Sequence, residues 1–264
     1  MRRWLLPLAT GAVALLAGGL ALAQPPSGIT RPEGIRDLPL VQQGSQLYAA
    51  NCSSCHGIAG RGVTHSPLSG VGDVKGRGPS LRGVGALAAD FYLRTGYMPL
   101  GKPTEQPYRT RVLFDDREIR ALTAYVASLG RGPAIPTPRP DQGVLSQGMH
   151  SFTEHCAGCH QVVAEGGYVT DKRVPVLKEG VTPTQIAEAV RIGPYYMPKF
   201  SPKDISNREL DSIIAYVQAS KQPDDRGGWG IGHVGPVPEG IVTWFIAALA
   251  LVLTCVIIGT RVRE

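Results

Sequence analysis

Asn51-Cys52-Ser53-Ser54-Cys55-His56 and His155-Cys156-Ala157-Gly158-Cys159-His160 write one pattern, Cys-x-x-Cys-His, twice at an offset of 104 residues. On a helical turn, residues three and four apart share a face, so each motif can present two thiols and an imidazole to one side. A zinc site would need the two cysteine pairs brought together. A dithiol redox pair has no use for histidine at the next position in both copies. The fifth cysteine, Cys255, stands alone in an apolar run, so the set is not the framework of a disulfide-stapled secreted fold.

The chemistry that uses all three side chains is covalent haem attachment. Two thiols add to the two vinyl groups, and the adjacent histidine turns its imidazole to the iron. Cys52, Cys55, Cys156 and Cys159 are therefore expected to tether two haem c groups, with His56 and His160 as proximal iron ligands.

The repetition reaches past the motifs. Gly44 and Gly148 each stand eight residues before the first cysteine, and Tyr48 and Phe152 each stand four before it. Downstream, Arg117-Glu118-Ile119-x-x-Leu122-x-x-Tyr125-Val126 matches Arg208-Glu209-Leu210-x-x-Ile213-x-x-Tyr216-Val217 at an offset of 91. Apolar residues three and four apart make both segments amphipathic helices. With these features the chain resembles class I cytochrome c domains twice over, across residues 38–130 and 142–221. The resemblance implies an all-α fold in which an N-terminal helix crosses a C-terminal helix at the glycine and the aromatic. A glycine lets two backbones approach and an aromatic fills the crossing. Gly44, Gly148, Tyr48, Phe152, Tyr125 and Tyr216 are accordingly read as packing residues.

A sixth iron ligand has to come from elsewhere, and there are four methionines. Met1 is the start. Met149, seven residues before Cys156, lies on the helix leading into its own motif, where core packing is the expected role. Met98 and Met197 occupy matching contexts, Gly96-Tyr97-Met98-Pro99 and Tyr195-Tyr196-Met197-Pro198, 42 and 37 residues after the two histidines. They are the expected axial ligands opposite His56 and His160, and His/Met coordination leaves no open iron position. His65, His150, His155 and His233 recur at no equivalent place in both units and read as surface or loop residues. Class I cytochromes hold the other nitrogen of the proximal histidine with a proline carbonyl in a Pro-x-Leu segment. The resemblance carries that role to Pro79 in Pro79-Ser80-Leu81 and Pro175 in Pro175-Val176-Leu177.

Both chain ends are apolar. Arg2 and Arg3 precede an uncharged stretch that ends Ala21-Leu22-Ala23 before Pro25-Pro26, so residues 1–23 read as a secretory signal cleaved after Ala23, with an uncleaved N-terminal anchor as the rival. Residues 241–260 carry no charge and stop at Arg261 and Arg263, the pattern of a transmembrane helix with a cytoplasmic C-terminus. The net charge of +6 draws on these flanks. Setting aside Arg2, Arg3, Arg261, Arg263 and Glu264, the remainder carries only +3, which gives no electrostatic case for nucleic acid. Residues 131–141 form a Pro-rich linker between the units, and 222–240 a Gly- and Pro-rich tether to the membrane helix. The first unit has the longer run from methionine to final helix, which marks residues 100–114 as a candidate docking loop.

This layout resembles the dihaem cytochrome c subunit of the actinobacterial menaquinol-cytochrome c reductase, the cytochrome bc complex. The resemblance implies an electron relay at the cell membrane, with haem domains on the extracytoplasmic side. It also implies cytochrome b and Rieske iron-sulfur subunits as partners, and a haem-copper oxidase as acceptor. Two readings compete. A subunit of a periplasmic dehydrogenase keeps the relay and changes the donor. A dihaem peroxidase would need an open iron and a distal acid-base group, against which the two Tyr-Met-Pro segments stand.

Overall fold

The structure, a computed structural model, describes residues 28–63, 78–101, 108–169, 172–177, 180–221 and 236–262. The expected signal over residues 1–23, His65, His233, most of the 222–240 tether and the middle of the 100–114 loop lie outside these residues. The chain divides into two compact units, residues 1–136 and 137–264.

Unit 1 is built from α1 (Leu40–Asn51), the single turn α2 (Ser53–His56), α3 (Gly85–Arg94) and α4 (Asp116–Ser128). The crossing of α1 and α4 is its centre. A Cβ on Gly44 would strike the carbonyl of Ala121 and come within 2.8 Å of Tyr125 Cβ, so only glycine permits this approach. Tyr48 fills the crossing beside it, its ring 5.1 Å from that of Tyr125. Helix α4 starts where Asp115 and Glu118 form a reciprocal capping box, each side chain taking the other's backbone N–H. Arg94 ties α3 to this end, bonded to Asp90 within α3 and to Asp116 at 2.7 Å.

Packing in unit 1 extends upstream of residue 38. Ile29 and Ile35 are buried in the core with Leu47, Tyr48, Leu122 and Phe114. At the other end Gly132 and Pro133 lie against Gly85, and Pro133 O accepts the N–H of Leu87 at 3.1 Å, so the first linker residues are fixed on unit 1.

Unit 2 repeats the plan with α5 (Leu145–His155), the turn α6 (Ala157–His160), α7 (Pro183–Ile192) and α8 (Asn207–Ala219). A Cβ on Gly148 would strike the carbonyl of Ser212 and lie 3.0 Å from Tyr216 Cβ. Each of these residues is the sequence equivalent of its counterpart in unit 1, so the two crossings are one geometry used twice. Phe152 replaces the tyrosine, its ring 5.4 Å from that of Tyr216. Thr182 and Gln185 cap α7 reciprocally, and Pro183 takes the first helical position, where no N–H is needed.

The fold is helical as expected, with one departure. Strands β1 (Gly167–Val169) and β2 (Lys172–Val174) pair antiparallel in a short hairpin after the second motif. A three-residue alternation is too short to stand out in sequence. Met149 also departs from expectation, since it is exposed on α5 and not in the core. The inward face of α5 near it is taken by Gly148 and Phe152, which leaves the neighbouring position outside.

The last helix, α9 (Pro236–Arg261), includes an apolar stretch from Gly240 to Arg261 long enough to cross a membrane, none of it buried by protein. At 1.5 Å per residue such a stretch reaches roughly 33 Å, against about 30 Å of hydrocarbon. Two of its hydroxyls are satisfied within the helix: Thr254 bonds Ala250 O and Thr260 bonds Ile257 O, each at 2.8 Å.

Candidate haem sites

The two motifs fold alike. In each, the second cysteine's N–H reaches the first cysteine's carbonyl at 3.1 Å and the histidine's N–H reaches the same carbonyl at 2.9 Å. The helices then stop on positive-φ residues, Gly57 after the first and Gln161 after the second. A hydroxyl holds the chain as it leaves the motif in both units, but from different helices. Tyr48 of α1 donates to Gly57 O at 2.7 Å, whereas in unit 2, where α5 has phenylalanine, Tyr216 of α8 donates to Val162 O at 2.8 Å. These two tyrosines do more than the packing read from the sequence. The exchange was not legible because each unit keeps an aromatic at both places.

His56 Nδ1 lies 2.8 Å from Pro79 O, and His160 Nδ1 lies 3.3 Å from Pro175 O. A carbonyl only accepts, so Nδ1 carries the proton and Nε2 is left with its lone pair as an iron donor. The two prolines arrive by different routes. Gly78 packs its backbone on Cys55 O and His56, where a Cβ would lie 2.9 Å from Nδ1; its N–H meets Cys55 O at 2.8 Å. In unit 2 the hairpin does this work, since β2 ends one residue before Pro175 and Gly166 donates to His160 O at 3.1 Å. The hairpin explains how a shorter span brings the proline to the histidine.

Met98 and Cys52 pack against the same core in unit 1, and Met197 and Cys156 against the same core in unit 2. Their backbones are held locally, Met98 N–H by Tyr92 O and Met197 N–H by Pro194 O, each at 3.0 Å. Burial pushes the thiol of Cys52 up to about 12 and that of Cys156 to about 11, with the neighbouring cysteine adding to both. Burial also pulls the His160 imidazole down, while its bond to Pro175 opposes the shift, so the neutral ring is favoured. Two thiols, an imidazole with a fixed Nδ1 and a thioether around one apolar core are the donor set that fits haem c.

His150 is exposed beside Glu154, and His155 lies against the ring of Phe200 at 6.0 Å. Beyond residues 102–107, the longer loop of unit 1 folds back through a bond between the Thr110 hydroxyl and Gly96 O.

Residues 41–130 match the family model for cytochrome c, and residues 143–217 the model described as cytochrome C oxidase, cbb3-type, subunit III. The chain is 31% identical to the cytochrome bc1 complex cytochrome c subunit of Corynebacterium diphtheriae, over 98% of this chain and 96% of that protein. The chain belongs to this family. It is also 33% identical to the subunit of the same description in Mycobacterium bovis, over 93% of this chain and 87% of the relative. The subunit is thus an electron-transfer cytochrome with two cytochrome c domains, covalently bound haem c, and one apolar C-terminal helix suited to anchoring it.

Proposed function

We propose that the subunit relays electrons through two haem c groups, from the Rieske centre of a menaquinol-oxidising cytochrome bc complex towards a haem-copper terminal oxidase. Haem c supplies a one-electron couple when bound. The observation that carries the reading is the duplication of the site: each unit sets a thiol pair, a proline-held histidine and one core-packed methionine around its own core.

In this reading Cys52 and Cys55 tether one group and Cys156 and Cys159 the other. His56 and Met98 would hold the first haem iron, and His160 and Met197 the second. Pro79 and Pro175 hold the histidine rings so that neither rotates between oxidation states. Met98 and Met197, packed against the cores, would keep water from the haems they serve. A closed iron exchanges electrons without binding substrate, which separates this relay from a peroxidase.

The apolar span of α9 followed by Arg261 supports a cytoplasmic C-terminus with both units on the opposite side. The test is purification of the complex in mild detergent, followed by menaquinol-driven reduction under rapid mixing. Both c-type haems should reduce after the iron-sulfur centre and reoxidise only when the oxidase is present. Failure of the subunit to copurify with cytochrome b, or reduction of its haems by a dehydrogenase in the absence of the iron-sulfur protein, would overturn the proposal.

A further inference from the structure

The two units differ at one face of the helix crossing. In unit 1 a strap formed by residues 28–38 lies over it. Arg31 clasps the carboxylate of Glu118 through Nε at 2.6 Å and Nη2 at 2.9 Å. Arg117 donates to the backbone carbonyl of Arg36 at 2.9 Å and to Gln43 at 3.0 Å. Gln43 and Glu118 are buried beneath.

The equivalent residues of unit 2 are Gln147, Arg208 and Glu209, with Ser206 in place of Asp115. There the chain upstream of α5 packs elsewhere on α8: Arg139 donates its N–H to the Asp211 carboxylate at 2.7 Å and Val144 its N–H to the Ser212 hydroxyl at 3.0 Å. Among the described residues a groove of about 480 Å³ is left open, lined by Ser146, Gln147, His150, Ser151, Arg208 and Glu209. Gln147 is exposed where Gln43 is fully covered. One Glu209 oxygen takes the Ser151 hydroxyl at 2.9 Å, which leaves its other oxygen available to a second donor.

We propose that this groove of unit 2 receives an extended segment of another protein chain, which places an arginine on Glu209 and a backbone carbonyl on Arg208. The strap of unit 1 supplies the template for both contacts. A guanidinium meets a carboxylate bidentately, and an arginine of the fold grips the segment's main chain.

A photoreactive benzoylphenylalanine at Gln147, in the full chain in its native membrane, tests this. On irradiation it should crosslink to an arginine-bearing segment of a different protein, identified by mass spectrometry. Glu209→Gln should lower the yield about tenfold, the scale of one lost charge-assisted contact. Arg208→Ala, which leaves the Ser151–Glu209 bond in place, should lower it also, and haem absorbance reports the folding of each variant. Adducts confined to residues 222–235 of this chain, to a second copy or to lipid would overturn the proposal. So would no adduct, or a yield that neither substitution changes.

Discussion

The Nδ1 of His56 lies 2.8 Å from the carbonyl oxygen of Pro79. The same bond between His160 and Pro175 is 3.3 Å, and His160 is buried whereas His56 is half-buried. A stronger bond makes the ring a better donor to ferric iron, and access to water also favours the more charged oxidised state. Both effects act in one direction. The haem of unit 1 should have the lower reduction potential, which drives electrons from unit 1 to unit 2. Spectroelectrochemical titration of the full chain checks the order, and the reverse order would contradict the argument.

Substitution of the methionines assigns those potentials. Met98→His should lower one potential and leave the other close to its starting value, and Met197→His should do the converse. If a titration moves neither haem, the methionines are not axial ligands.

The helix crossings tolerate no added carbon. Gly44→Ala drives a methyl into Ala121 O and Gly148→Ala drives one into Ser212 O. Each should destabilise its own unit by about 3 kcal/mol, the upper range for overpacking. Guanidinium titration followed at the haem of each unit reads the effect separately.

The repeat made these crossings legible without coordinates, because glycine at a fixed distance from the motif marks a backbone contact in both copies. The proline carbonyls were legible only through the family resemblance, since many prolines compete. The strap was not legible at all. Ile29, Arg31 and Ile35 lie upstream of the repeated region, and nothing in their local pattern announces that Arg31 will meet Glu118, 87 residues away. The hairpin at Gly167–Val174 is not legible because two three-residue strands carry no usable period.

The strap also sets a stability difference. Glu118 is buried, so Arg31→Ala leaves a carboxylate with its capping contacts alone and should destabilise unit 1 by roughly 1–3 kcal/mol, moderated because Arg31 itself is partly exposed. Adding Glu118→Gln should recover part of that loss, because a neutral amide is less costly to bury. A double-mutant cycle in denaturant measures the coupling.

The partly buried thiols give a pH dependence in the haem-free chain. Their pKa values rise from an ordinary 9.0 to about 12 for Cys52 and about 11 for Cys156. The fold prefers the neutral thiol, so this contribution is fully present below about pH 9 and is lost as pH rises through the folded values. Iodoacetamide should therefore label Cys156 at lower pH than Cys52, by about one unit. Peptide mass mapping across a pH series checks it.

In the first copy of the duplicated module the chain's own preceding residues shield the end of the helix pair; in the second they pack elsewhere on α8. A tandem array can thus gain a receptor by subtraction. The recognition chemistry already exists as internal packing, and withholding a few residues of cover turns it outward without any new side chain having to arise.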